Sequence, residues 1–181
     1  MLTIENTCLV VVDIQEKLLK LMQNRDQVVH NSSVLIKMAQ TLEIPILWCQ
    51  QVPTALGPTT HDLWGLFMKA DMQPMDKTTF SCCGNAAFME KLEAAKPQTA
   101  IVCGIESHVC VFQTTMDLIQ HGLYVHVVAD AVSSRTNENK QIGLHRMAKE
   151  GAVITSTEML LFELLRDSKH PNFRELAKLI K

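Results

Sequence analysis

The stretch Thr99-Ala-Ile-Val-Cys-Gly-Ile-Glu-Ser-His-Val-Cys110 contains the transition that decides the fold. Its first half is a continuous apolar run, the pattern of a parallel strand covered on both faces. Its second half leads into Ser107–Gln120, where apolar residues recur with helical spacing until His121-Gly122 supplies a glycine just beyond the last turn. A buried strand that passes directly into a helix is typical of the βαβ unit.

The same alternation of apolar runs and helical segments extends along the whole chain. Helical segments separate the runs, and right-handed crossovers of this kind join parallel strands. The pattern therefore predicts a three-layer α/β/α sandwich, formed by one domain spanning residues 1–181, with a long irregular loop from Gln50 to about Trp64. The other predicted strands are Cys8–Val12, Ile44–Cys49, a short one around Asp76–Thr79, Tyr124–Ala129 and Ala152–Thr155.

Composition excludes several classes of protein. The 181 residues, 47% of them hydrophobic and 20% charged, are enough for a core that needs no disulfides. The formal net charge of −2 and the scattered Lys and Arg residues argue against a nucleic-acid or membrane partner. The sequence shows neither a membrane-spanning apolar stretch nor the pattern of a signal peptide. The six cysteines have no repeating spacing, which favours reduced thiols and a cytoplasmic protein.

Three chemically useful residues follow predicted strands: Asp13, Lys77 and Cys110. In an open parallel sheet, ligands bind beyond the carboxyl ends of the strands, where strand order reverses. A carboxylate, an ammonium and a thiol brought together there would supply a base, a charge anchor and a nucleophile. The alternatives are that Asp13 caps a helix or turn and that Lys77 is a solvated edge residue.

Cys110 is the most specific of these candidates. If Ser107 caps the following helix, Cys110 lies in the first helical turn, where the helix dipole and free N–H groups favour a thiolate and can bind an oxyanion. The alternative is a small buried hydrophobic residue, which is the role we expect for Cys8, Cys49 and Cys103.

Motifs for metals and nucleotides are missing from the sequence. It contains no His-Glu-x-x-His, no Cys-x-x-Cys, no G-x-G-x-x-G after the first strand and no P-loop. We therefore expect neither a metal nor a cofactor. His108 would point away from Cys110 on a helix, and Asp130 and Arg135 are expected to stabilise a turn rather than to bind substrate.

Taken together, the motifs around the three candidates resemble those of the isochorismatase-like cysteine hydrolases, a superfamily that includes nicotinamidases and N-carbamoyl amidohydrolases. Within it, three further stretches are similar to the small isochorismatase-domain-containing proteins, and the similarity runs from about residue 6 to the C-terminus. The active-site motifs read Val11-Val-Asp-Ile-Gln15, Asp76-Lys-Thr-Thr-Phe-Ser81 and Gly104-Ile-Glu-Ser-His-Val-Cys-Val111; the further stretches are Gln51–Thr59, Val125–Arg135 and His170-Pro-Asn-Phe173.

The resemblance implies a Rossmann-like fold with a six-stranded parallel sheet and a catalytic triad of Asp13, Lys77 and Cys110. It also implies a non-proline cis peptide bond between Ile105 and Glu106. In the family, backbone amides form the oxyanion hole, which here would be those of Glu106 and Cys110. Members are commonly homo-oligomers, so a homo-oligomer is expected.

Three departures from the family pattern reduce the number of reactions that we expect this protein to catalyse. Isochorismatases, which cleave a vinyl ether, lack the cysteine, so its presence favours acyl transfer. The metal-binding Asp-x-His pair of nicotinamidases is absent from the loop Gln50–His61. Glu106 replaces the small residue that amidases often carry. We therefore expect a cysteine-dependent hydrolase of a small amide- or carbamoyl-type molecule, acting through a thioester; the alternatives are a non-catalytic interaction protein on this fold and vinyl ether hydrolysis.

Overall fold

A six-stranded parallel sheet with helices on both faces forms the centre of the protein, as the computed structural model of residues 2–180 shows. The spatial order of the strands is β3-β2-β1-β4-β5-β6, and every neighbouring pair is parallel. The predicted fold class is therefore confirmed. The strands are β1 Thr7–Val12, β2 Ile46–Gln51, β3 Met75–Lys77, β4 Thr99–Ile105, β5 Tyr124–Ser133 and β6 Val153–Thr155.

Two apolar cores, one on each face of the sheet, hold the helices in place. The helices α2, α4 and α8 pack on one face, and α5, α6 and α7 pack on the other. The helices are α1 Glu16–Leu19, α2 Arg25–Thr41, α3 Pro53–Leu56, α4 His61–Lys69, α5 Ala86–Ala95, α6 Cys110–Gln120, α7 Asn137–Lys149, α8 Thr157–Leu165 and α9 Phe173–Leu176, with a 3-10 turn at Cys82–Gly84. Within residues 2–180, no helix is both long and apolar enough to span a membrane.

Side-chain caps explain several of the helix starts. Asn85, Thr136 and Ser156 each accept a hydrogen bond from a backbone N–H three residues ahead, at the starts of α5, α7 and α8. These contacts satisfy N–H groups that the helix itself leaves unpaired.

The prediction of an irregular loop from Gln50 to about Trp64 is wrong. It contains α3, which begins at Pro53, a residue whose fixed φ suits a first helical position, and it also contains the start of α4. Phe67 of α4 stacks on Trp48 of β2 with ring centroids 3.9 Å apart, so packing on the sheet stabilises this short helix.

The point where strand order reverses lies between β1 and β4, and it brings Asp13 beside the loop that follows β4. Gly104 pairs with Val12 and has φ of +125°. A Cβ at residue 104 would overlap the carbonyl oxygen of Val12, so this close approach of the two strands requires glycine.

Candidate active site

Asp13 and Lys77 form a buried ion pair at the carboxyl edge of the sheet. Lys77 Nζ lies 2.7 Å from Asp13 Oδ2, and both side chains are fully excluded from solvent. Lys77 ends β3 and Asp13 follows β1, so the ammonium reaches past β2 to the carboxylate. The alternatives of a helix cap for Asp13 and a solvated edge residue for Lys77 are therefore wrong.

Lys77 is saturated with hydrogen-bond acceptors. Besides Asp13 Oδ2, its Nζ lies 2.7 Å from Gln51 Oε1, 2.9 Å from Phe80 O and 3.2 Å from Thr79 O. An ammonium has only three N–H donors, so these four oxygens use all of them. Lys77 can orient and balance Asp13, but it has no free donor for another molecule.

Two buried glutamines support the ion pair, and the sequence analysis missed both. Gln15 Nε2 donates to Gln51 O at 3.0 Å, and Gln15 Oε1 accepts from the Gln51 N–H at 2.7 Å. The Gln51 side chain in turn donates to Thr78 O while accepting from Lys77. One sequence feature could have indicated their role. Gln51 follows the apolar run of the second strand and therefore lies at the same edge of the sheet as Asp13.

The pKa of each member of the pair reflects burial and the opposite charge. Burial raises the pKa of Asp13, while the Lys77 charge and hydrogen bonds from Lys77 and Cys110 oppose that rise. For Lys77, burial acts to lower the pKa, but the nearby anionic groups, Asp13 first, raise it overall. The result is a stable ammonium beside a carboxylate that is more basic than usual. Among residues 2–180, no donor meets Asp13 Oδ1 at both the distance and the angle of a hydrogen bond, so this oxygen remains available to the Cys110 thiol, which interacts with the carboxylate.

Cys110 is the first residue of α6 and is 6% exposed. Burial and the charge of Asp13 raise the pKa of the Cys110 thiol, and the charge of Lys77 only partly opposes them. The shift is opposite in direction to the lowered pKa that we expected from the helix N-terminus, because burial and the Asp13 charge both disfavour the thiolate. Ser107 is also not the cap, since Val109 holds that position. The directions of the two pKa shifts favour a neutral thiol at Cys110 beside the Asp13 carboxylate.

Residues 106–110 form a closed turn that leads into α6. Glu106 O accepts hydrogen bonds from Val109 N at 3.1 Å and Val111 N at 3.2 Å, and the Ile105–Glu106 peptide bond is cis. Among residues 2–180, no hydrogen bond to another protein group engages the N–H of Glu106 or Cys110. Both amides therefore remain available to another molecule.

Residues at the end of β5 hold the outer side of this turn. Arg135 Nε lies 3.0 Å from Glu106 Oε2, and His108 Nδ1 lies 2.9 Å from Ser134 Oγ. Asp130 has the structural role that we expected, since its Oδ1 accepts two hydrogen bonds from Thr157 at the start of α8. Arg135 differs from expectation, because it pairs with a residue of the Cys110 turn.

Of the remaining cysteines, Cys83 is half-buried and the others are buried in the interior of the protein. Burial raises the pKa of Cys8 and of Cys103 to about 12, in agreement with their predicted role as small buried residues. Within the described residues, no group of three or more His, Cys, Asp or Glu side chains is arranged to hold a metal ion. A cleft of about 750 Å³ between α1, α2 and α4 contains none of the three candidate residues.

Comparison with known proteins shows the family of the chain. The family model of the isochorismatase domain matches residues 7–159. Isochorismatase domain-containing protein 2A of Mus musculus is 36% identical over 178 residues, which cover 98% of this chain and 84% of that protein. The human isochorismatase domain-containing protein 2 is also 36% identical, with 97% of this chain and 83% of that protein covered.

Solved structures show the same fold. The structure named MAR1 ribonuclease from Caenorhabditis elegans has a TM-score of 0.89 and 38% identity, covering 99% of this chain and 91% of that one. An octameric hydrolase of unknown specificity from Escherichia coli has a TM-score of 0.87 at 23% identity, covering 98% of this chain and 94% of that one. At that identity, the likeness to the bacterial protein concerns the fold alone. From the domain match and the full-length relatives, the chain belongs to the isochorismatase domain family and has its hydrolase fold.

Proposed function

We propose that this protein is a cysteine-dependent hydrolase of a small amide- or carbamoyl-type substrate, with Cys110 as nucleophile, Asp13 as general base and acid, and Lys77 as charge anchor. One observation carries the proposal: the fully buried Asp13–Lys77 pair leaves Asp13 Oδ1 available to the Cys110 thiol. A thiol next to a base that is itself oriented by a third group has the arrangement of an activated nucleophile.

In the first half of the reaction, Cys110 Sγ attacks the substrate carbonyl carbon while its proton passes to Asp13. The carbonyl oxygen becomes an oxyanion, which the N–H groups of Glu106 and Cys110 stabilise. The C–N bond then breaks, and Asp13 returns the proton to the departing nitrogen. This leaves a thioester on Cys110 and a free amine or ammonia.

In the second half, water adds to the thioester while Asp13 takes one of its protons. The C–S bond breaks, and Asp13 gives that proton back to Cys110. The raised pKa of Asp13 supports both steps, because a general base works best when its pKa approaches the operating pH. Lys77 keeps the carboxylate charged in a site that excludes water.

The proposal also includes a reaction without a metal or cofactor, a cytoplasmic location and a homo-oligomeric assembly. The octameric relative from Escherichia coli makes an oligomer a reasonable expectation for this fold. The relative named a ribonuclease makes RNA a substrate to test, although a chain with a formal net charge of −2 offers little attraction to a polyanion. Vinyl ether hydrolysis is disfavoured, since it gives Cys110 no acyl group to accept.

A substrate panel of carboxamides, ureas, isochorismate and a short RNA tests the proposal. We expect release of ammonia or amine from at least one amide or urea by the wild type, and none above background by Cys110→Ala or Asp13→Asn. Cys83→Ala is the matched control, because Cys83 is a half-buried thiol outside the triad, and it should retain activity. A mass increase on Cys110 during turnover would identify the thioester; turnover by Cys110→Ala would contradict the proposal.

A further inference from the structure

The segment 79–84, which follows β3, helps to hold Lys77 in place. Lys77 Nζ donates to the carbonyl oxygens of Phe80 at 2.9 Å and of Thr79 at 3.2 Å. The Thr79 hydroxyl donates in turn to Ser81 O at 2.8 Å. Two of the four acceptors around the ammonium therefore belong to this segment.

The rest of the segment packs tightly against these carbonyls. It contains the 3-10 turn Cys82–Gly84. Ser81 Oγ accepts a hydrogen bond from the backbone N–H of Cys83 at 3.2 Å. A Cβ at residue 84 would lie 2.5 Å from Thr79 Oγ1, so glycine lets the turn close onto Thr79. The turn and the two carbonyls therefore form one compact unit.

One buried hydrogen bond joins this unit to the helix that carries Cys110. The backbone N–H of Cys82 donates to Thr114 Oγ1 at 3.0 Å, and both residues are fully buried. Thr114 is one helical turn beyond Cys110 on α6, so the two side chains lie on the same face of the helix. Within residues 2–180, no other hydrogen bond connects α6 with residues 79–84. The charge of the Cys82 thiol acts on the pKa of both Cys110 and Lys77, so this turn lies near both groups.

We propose that Thr114 is a positioning residue: by accepting the Cys82 N–H, it keeps the segment that orients Lys77 fixed against the helix that carries Cys110. The inference rests on the proposed function, in which Asp13, Lys77 and Cys110 act together. Loss of the Thr114 hydroxyl would leave a buried N–H unpaired, a costly state that the turn can relieve only by moving. The two carbonyls would move with the turn, and the charge of Lys77 would act less strongly on Asp13.

Three variants of α6 test this role. Thr114→Val removes the hydrogen-bond acceptor, and Thr114→Ser keeps it. Thr115→Val is the matched control, because Thr115 is the next residue, is equally buried and has no hydrogen-bond partner for its Oγ1 within residues 2–180. Urea unfolding establishes that each variant is folded, and Thr114→Ala takes the place of Thr114→Val if the valine variant is not.

The titration of Asp13, followed by NMR of its carboxyl carbon, reports on Lys77 without any substrate. Lys77 and Cys110 oppose the effect of burial on the pKa of Asp13. A less firmly held Lys77 opposes it less, so the titration midpoint of Asp13 should rise in Thr114→Val. The midpoint should stay at the wild-type value in Thr114→Ser and in Thr115→Val. Asp13→Asn identifies the resonance.

Hydrolysis gives a second measurement, on any amide or urea that the wild type cleaves. Thr114→Val should lower kcat about tenfold and leave KM within about twofold, because the hydrogen bond orients catalytic groups rather than substrate. Thr114→Ser should restore kcat to within about threefold of the wild-type value, and Thr115→Val should leave it there.

The outcomes separate this inference from the proposed function. An Asp13 midpoint that is unchanged in Thr114→Val, or that rises equally in Thr115→Val, would overturn the inference. Failure of both Thr114→Val and Thr114→Ala to fold would also overturn it, because Thr114 would then serve the fold rather than the site. If no substrate is cleaved but the midpoint rises in Thr114→Val alone, the proposed hydrolase activity fails while the positioning of Lys77 by Thr114 stands. If hydrolysis occurs with the same kcat in Thr114→Val, the activity stands and the inference fails.

Discussion

Gly143 of α7 lies directly against the turn that precedes Cys110: a Cβ at residue 143 would be 3.0 Å from the carbonyl oxygen of Ser107 and 3.1 Å from the Cα of His108. These are backbone atoms, which cannot swing aside as a flexible side chain would. Helix α7 therefore sets the position of residues 107–108, and through them the position of the thiol.

Replacement of Gly143 by alanine should displace the Cys110 turn. The helical preference of alanine over glycine, about 1 kcal/mol, should be offset by the contact with Ser107 and His108. We expect no gain in the free energy of unfolding, measured with urea, together with an altered rate of Cys110 alkylation.

Gly65→Ala is the control for this experiment. Gly65 lies within α4, and nothing is within 4 Å of its added Cβ. This variant should gain about 0.5–1 kcal/mol of stability and leave Cys110 alkylation unchanged. Equal stabilisation by both substitutions, with no change at Cys110, would show that the contact at Gly143 is unimportant.

Removal of the Lys77 charge should destabilise the protein strongly. Lys77→Met leaves Asp13 buried without its partner, a change that costs about 3–5 kcal/mol in comparable buried pairs. Lys69→Met, at an exposed lysine of α4, should change the free energy of unfolding by less than about 0.5 kcal/mol. The double variant Asp13→Asn, Lys77→Met should lose less than the sum of the two single variants. Additive losses would mean that the pair is not coupled.

Lys77→Met should lose stability more steeply with rising pH than the wild type does. Without Lys77, burial is opposed only by the hydrogen bond from Cys110, so the pKa of Asp13 rises further above the unfolded value of about 3.9. The folded state then binds the proton more tightly than the unfolded state. Stability is therefore fully present below about pH 4 and is lost as the pH rises toward the folded pKa. Urea unfolding of Lys77→Met at pH 5 and pH 8 should show the greater stability at pH 5.

Alkylation of Cys110 should increase with pH without reaching a plateau by about pH 9, because the pKa of this thiol lies above its ordinary value of about 8.5. Asp13→Asn removes the charge that helps to raise this pKa, so the alkylation rate at pH 8 should increase in that variant. Asp26→Asn, at an exposed aspartate of α2, is the control and should have no effect. A plateau below pH 8 in the wild type would restore the assignment of a resting thiolate.

His126 of β5 should make the protein less stable in mild acid. It is 8% exposed, and its Nδ1 has no hydrogen-bond partner within residues 2–180. Burial lowers the pKa of His126, although the charge of Glu163 opposes this. Its contribution to stability is therefore present above the unfolded pKa of about 6.5 and is lost as the pH falls from there toward the folded value. His126→Leu should reduce the difference in unfolding free energy between pH 7.5 and pH 5.5, whereas exposed His145→Gln should not.

The strand and helix pattern could be predicted because buried parallel strands require continuous apolar runs. The ends of β2 and β5 could not be predicted. The polar residues Gln51 and Ser133 continue these strands, and both are buried with hydrogen bonds to residues outside their strands. Topology predicted that Asp13 and Lys77 would meet. The protonation state of Cys110 could not be predicted, because its position after a strand indicates a helix N-terminus but not the degree of burial.

The ion pair also has a consequence for folding. Asp13 and Lys77 are 64 residues apart in the chain, and Lys77 belongs to a three-residue strand at the edge of the sheet. Closing so long a loop is entropically expensive, and contacts of large sequence separation slow the folding of a domain. A nascent or partly unfolded chain in which β3 has not docked contains Asp13 and Cys110 but not the lysine that keeps the carboxylate charged. Under the proposed function, such a chain would lack a charged base beside the thiol, so assembly of the chemical centre would wait for completion of the sheet.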